Sequence, residues 1–299
     1  MLFLKKAGLP LAIWAAFLLL GDTPLLQAHW ECALVVFAAL VLVPLGLDLL
    51  GVRFSAPVLL GAGAALAVAY WAEGTVGIVA AGAYLLYAAW LTVREASEVF
   101  LPKKIQLADV LRVAALAYWT TGAVWAFCFV AGIRPLGFDP VIVSLTAAHF
   151  HVAGFVLTVV VCCLLTHQNS FAHRALGAAA LLGMPLVATG ITLSKFGFPP
   201  TFEWLSAVFF AVFAAATVLA QCGVAWLTTH AKARRVWFFG AFCLFFGAIL
   251  ASLYGLRYVW PIEWINIPNM KIWHGTLNTL GFGCCSLWGW WLMKQGEGS

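Results

Sequence analysis

Charge is what this chain has least of. Only 9% of its 299 residues are Asp, Glu, Lys or Arg, against about 25% in ordinary soluble domains. With 64% hydrophobic residues, one soluble globule could not hide that much apolar surface, so a soluble enzyme or binding domain is excluded. The formal net charge of +5 is too small and too dispersed for the dense basic patch that nucleic-acid binding requires. Also absent are a Cys-x-x-Cys pair, a His-Glu-x-x-His run, a nucleophile elbow and a Gly-rich phosphate loop. Their absence removes zinc ribbons, thioredoxin-like redox motifs and nucleotide-binding loops. The eight cysteines fall as Cys162-Cys163, Cys284-Cys285 and single residues at Cys32, Cys128, Cys222 and Cys243. In apolar surroundings a thiol behaves as a small hydrophobe, and all eight read as packing.

What the chain has is long apolar runs, and about 20 such residues cross a bilayer as a helix. They lie near 8–22, 30–50, 56–72, 75–93, 109–132, 140–166, 174–193, 203–228, 235–256 and 272–293. The expectation is an all-α, polytopic transmembrane helix bundle of about ten spans, forming a single domain over 1–299. The start of the chain, with Lys5 and Lys6 before an apolar run, looks like a signal peptide. Gly21-Asp-Thr-Pro24 is not a small-x-small cleavage site, so a retained first helix is expected.

Basic residues set the orientation. With the N-terminus inside, twelve of the 16 Lys and Arg residues fall on cytoplasmic ends and loops: Lys5, Lys6, Arg53, Arg94, Lys103, Lys104, Arg112, Arg174, Lys232, Arg234, Arg235 and Lys294. The other four are Arg134, Lys195, Arg257 and Lys271. Both termini are thus expected in the cytoplasm.

Ionisable groups inside such spans are expensive and usually have a task. His149 and His151 stand roughly 14 to 17 Å into the sixth run at 1.5 Å per residue. Two apart on a helix, they are separated by about 200°. His151 shares its face with Ser144, Ala147, Ala148, Gly154 and Thr158, small or hydroxyl-bearing residues that suit close helix packing. In the last run His274, Asn278, Gly281 and Cys285 form one stripe, with Asn278 placed to fix the His274 tautomer or add an oxygen ligand. Glu31 sits one turn into the second run and could ligate a metal, orient a histidine or act as general base. His29 is shallower and stands outside this core set. All these positions fall in the outer half of the membrane.

His149-Phe-His151-Val-Ala-Gly154-Phe155 and His274-Gly275-Thr-Leu-Asn278-Thr-Leu-Gly281-Phe282 resemble the signature segments of the YndJ-like bacterial membrane proteins. Glu31, followed by Val43-Pro44-Leu45, looks like that family's first polar position. The resemblance implies an integral membrane protein and little about mechanism. His149-Phe-His151 is also similar to the haem-ligating segment of the large subunit of haem–copper oxidases, where the two histidines serve different haems. Clear counterparts of that family's other copper-ligating histidines are missing, so this likeness implies at most one metal or haem.

The expected function is a membrane-embedded centre holding iron, zinc, copper or haem. His149, His151 and His274 would be the metal ligands, with Glu31 and Asn278 as catalytic groups. Imidazole and carboxylate suit those metals and leave positions open for redox or hydrolytic chemistry on a small or lipophilic substrate. Two alternatives stand beside it: a transporter or channel using Glu31 and the histidines as a proton or cation relay, and a metal-free structural or sensor protein. Besides substrate, the expected partner is the lipid bilayer, and no nucleic acid.

Overall fold

A computed structural model describes residues 2–20, 29–101 and 104–296, with side chains from residue 8 onward. The segment 21–24 and the side chains of Lys5, Lys6 and Lys103 lie outside the described residues. Among the described residues all regular structure is helical. The helices are α1 (Leu2–Leu20), α2 (Trp30–Leu49), α3 (Ala56–Ala69), α4 (Gly74–Phe100) and α5 (Leu107–Val130). They continue as α6 (Pro140–His167), α7 (Phe171–Lys195), α8 (Thr201–Leu227), α9 (Ala231–Gly255) and α10 (residues 267–296). Each overlaps one of the apolar runs read from the sequence.

Seven helices among the described residues are long and apolar enough to cross a membrane: α2, α4 to α8, and the helix beginning at Ala231. Helix α3, Ala56–Ala69, is shorter than a bilayer is thick, as is Gly8–Leu20, the part of α1 whose side chains are described. Helix α10 has the length, but Lys271, His274 and Asn278 dilute its apolar character.

The chain forms two compact units, Met1–Val156 and Leu157–Ser299. In the first, α2 is almost wholly buried. Trp14 on α1 donates its indole N–H to Ala33 O at 2.9 Å. On α3, a Cβ added to Gly63 would lie 2.9 Å from Leu40, so the missing side chain lets the two helices approach. Helices α4 and α5 are tied by Thr92, whose hydroxyl lies 2.8 Å from that of Thr120 and 3.1 Å from Leu116 O. A capping box between Gln106 and Asp109 starts α5.

In the second unit, Ser170 caps α7, His230 caps α9 and Asn266 caps α10, each accepting a backbone N–H with its side chain. The buried Gln221 of α8 donates to Trp237 O and to Ser286 Oγ, both at 3.0 Å, tying α8 to α9 and α10. Near the opposite end of α8, Arg257 bonds Glu203 at 2.7 Å and lies over the rings of Tyr254 and Tyr258 at 4.1 and 4.2 Å.

Among the described residues three helices contain a wide π-helical segment: Ala38–Leu42 in α2, Phe150–Val156 in α6 and Leu277–Gly283 in α10. These are the helices that carry Glu31, the paired histidines, and His274 with Asn278. In α2 the cause is local. Pro44 lacks an N–H and crowds the carbonyl of Leu40 one turn back, inside the widened segment.

Candidate metal centre

The π segments of α6 and α10 are built alike. Each has seven residues, with a polar side chain second (His151, Asn278), glycine fifth (Gly154, Gly281) and a buried phenylalanine sixth (Phe155, Phe282). The preceding helix meets each in the same register. A Cβ on Gly122 of α5 would come within 2.5 Å of His151, and one on Gly154 within 2.9 Å of Tyr118. A Cβ on Gly247 of α9 would come within 2.6 Å of Asn278, and one on Gly281 within 2.5 Å of Cys243. Tyr118 and Gly122 are four residues apart, as are Cys243 and Gly247. The same helix–helix register thus recurs four helices later, with little more than Gly-Phe kept between the two segments.

His151 is fully buried at this interface. Its Nδ1–H donates to Ala147 O at 2.8 Å, so Nε2 is the basic nitrogen. That nitrogen accepts the Tyr84 hydroxyl at 2.8 Å, and Tyr84 in turn accepts the Trp119 indole N–H at 2.7 Å. The chain of donors therefore has one direction, and a metal at Nε2 would have to displace Tyr84. Sequence reasoning did not single out Tyr84, because its partners lie 67 and 35 residues away.

His149 is exposed and bonds Leu145 O through Nδ1 at 2.7 Å. His274 donates Nδ1–H to Gly247 O at 2.9 Å, while the Asn278 carboxamide donates to His274 O at 2.9 Å. The His274 tautomer is therefore set by Gly247 rather than by Asn278. All three histidines present Nε2 as the basic nitrogen, with Nδ1 held by a carbonyl, as metal-ligating histidines usually are.

The residues brought together around Glu31 form a different cluster. His29 precedes the first turn of α2 with φ −129° and ψ 40°. That non-helical backbone swings its imidazole back over the helix start, leaving Nδ1 3.4 Å from Glu31 Oε1. Ser144, two turns before His151 on α6, donates to the same oxygen at 2.8 Å. The carboxylate is buried, whereas the His29 side chain remains 41% exposed. The helix N-terminus is electrostatically favourable for an acid. Cys32, also buried, completes the group: one ligand atom each from His29, Glu31 and Cys32 lie within 4.8 Å of one another.

Ligands of a tetrahedral ion at about 2.0–2.3 Å stand roughly 3.3–3.8 Å apart, so a small contraction would let these three share one ion. Among the described residues this is the metal-capable group of His, Cys, Asp and Glu. It includes Glu31 from the sequence reading but none of His149, His151 or His274. From the sequence alone His29 reads as too shallow for the site and Cys32 as packing. Their 29, 31, 32 spacing matches no single helix face until the turn at His29 is known.

A family model described as YndJ-like protein matches residues 33–282. The chain belongs to the YndJ-like family. The match takes in the histidine segment of α6 and all of the α10 signature, and it begins one residue after Cys32. No curated protein and no solved structure matches the chain. The likeness to haem–copper oxidases therefore rests on His149-Phe-His151 alone.

Proposed function

We propose that this YndJ-like protein is a metal-dependent integral membrane protein of the bacterial cytoplasmic membrane. His29, Glu31 and Cys32 hold one ion at the non-cytoplasmic end of α2. The single observation behind this reading is the convergence of an imidazole, a carboxylate and a thiol within 4.8 Å. Nitrogen, oxygen and sulfur together suit zinc, iron or copper rather than magnesium or calcium. Three protein ligands also leave a coordination position open, the pattern of catalytic rather than structural sites. The chemistry is redox or hydrolytic, on a small or lipophilic molecule arriving from the non-cytoplasmic side.

In this reading α1, α3 and α10 join the seven helices that are both long and apolar enough to cross a membrane, making ten spans. The basic residues then fall in the alternation described above, and both termini are cytoplasmic. The test is the metal content of protein purified from metal-replete cells. About one equivalent is expected in the wild type and in His149→Ala, and a small fraction of that in a His29→Ala/Cys32→Ser variant. Metal-free wild-type protein would refute the reading.

A second reading has one observation in its favour. The half-exposed His29 touches the buried Glu31, a pairing that could carry a proton inward as part of a relay. Proton flux into liposomes that vanishes in Glu31→Gln would favour this reading. Undiminished flux would remove Glu31 from any transport path.

A further inference from the structure

Beside the His29–Glu31–Cys32 cluster stands a phenol that the packing does not account for. Tyr70 ends α3, and its ring centre lies 6.0 Å from that of Phe129. The Phe129 ring lies 5.7 Å from His29, so one phenylalanine backs both residues. The Tyr70 hydroxyl is buried and, among the described residues, has no hydrogen-bond partner. A buried hydroxyl left in that condition costs about 1–3 kcal/mol, and native proteins rarely keep one without a reason. Tyr84, by contrast, is committed on both sides, to His151 and Trp119.

We propose that Tyr70 is a positioning residue for the exogenous ligand of the metal centre, an inference that rests on the metal reading above. Its hydroxyl donates a hydrogen bond to a small anionic oxygen or nitrogen ligand, such as hydroxide, in the position that the three protein donors leave open. The ligand class follows from the donors. A phenol offers one hydrogen, the ion offers positive charge, and the Phe129 wall excludes anything bulky on that side. An anion held by both is oriented as well as bound, which is what a nucleophile or an oxygen-derived substrate needs.

The experiment uses the full-length protein in detergent, stripped of metal, loaded with cobalt(II) and titrated with sodium azide. Cobalt should give a thiolate-to-metal absorption that disappears in Cys32→Ser. Azide should then shift the visible cobalt bands. In Tyr70→Phe the thiolate absorption should be retained while azide binds about 10-fold more weakly. Tyr118→Phe, which removes a hydroxyl from the α5–α6 interface, should match the wild type. Equal azide affinity in Tyr70→Phe, or wild-type bands that azide leaves unmoved, would overturn the role of Tyr70 while the metal centre stood. Cobalt binding with no Cys32-dependent absorption would overturn the metal reading and this inference with it.

Discussion

Ser144 Oγ donates to Glu31 Oε1 at 2.8 Å, joining residues 113 apart in the chain. This bond fixes one carboxylate oxygen from α6, the helix that carries the His149–His151 motif. Ser144→Ala should therefore weaken metal binding about 10-fold, the loss of one hydrogen bond to a charged acceptor. Ser144→Thr, which keeps the hydroxyl, should recover most of it. A competition titration with a chromophoric chelator reads both variants, and equal affinity in Ser144→Ala would show that Glu31 needs no help from α6.

The Trp119–Tyr84–His151 chain predicts strong coupling between its members. Tyr84→Phe leaves the His151 acceptor and the Trp119 donor buried without their partner, at about 1–3 kcal/mol for each group. Pairing it with a neutral replacement of His151 should cost clearly less than the two single changes summed. A double-mutant cycle on thermal unfolding should give a coupling above about 1 kcal/mol, and strict additivity would contradict the bond.

The recurring interface predicts matched responses at two distant glycines. Gly122→Ala and Gly247→Ala would each force a methyl group to within 2.6 Å or less of the facing side chain. Overpacking of that kind typically costs about 1–3 kcal/mol. Gly61→Ala and Gly223→Ala meet nothing within 4 Å and should be neutral or slightly stabilising. Unfolding temperatures in one detergent would decide whether the two interfaces behave alike.

Arg257 donates to Glu203 at 2.7 Å and to the carbonyl of Tyr254 at 3.0 Å. Because Glu203 is buried, Arg257→Met should destabilise the α8–α9 pair by about 1.5–3 kcal/mol, and Glu203→Gln by less, since its amide keeps hydrogen-bonding capacity. Metal binding should be unchanged in both variants. Loss of metal in either would mean that this contact serves the centre rather than the packing.

Much of the helical fold was legible because the apolar runs are separated by charged residues, prolines and glycines, and the helices fall where those runs are. Less legible was which runs are long enough to span: α3 is short, and α10 is thinned by Lys271, His274 and Asn278. The π segments left little trace beyond Pro44 in α2, since in α6 and α10 they arise where a neighbouring helix packs against a glycine. The polarity of Glu31 was enough to mark it. His29 and Cys32 were not marked, because the backbone of His29 leaves the helical region and a lone cysteine in an apolar run reads as filler. The assignment of Tyr84 and Ser144 depended on contacts far apart in the chain, which no local pattern encodes.

In the proposed centre His29, Glu31 and Cys32 share one ion. X-ray absorption at the metal edge of zinc-loaded protein tests it most directly. The expected spectrum has one sulfur neighbour at about 2.3 Å with nitrogen and oxygen at about 2.0–2.2 Å, the sulfur contribution vanishing in Cys32→Ser. A shell of nitrogen and oxygen alone in the wild type, or a spectrum indifferent to the loss of Cys32, would contradict it.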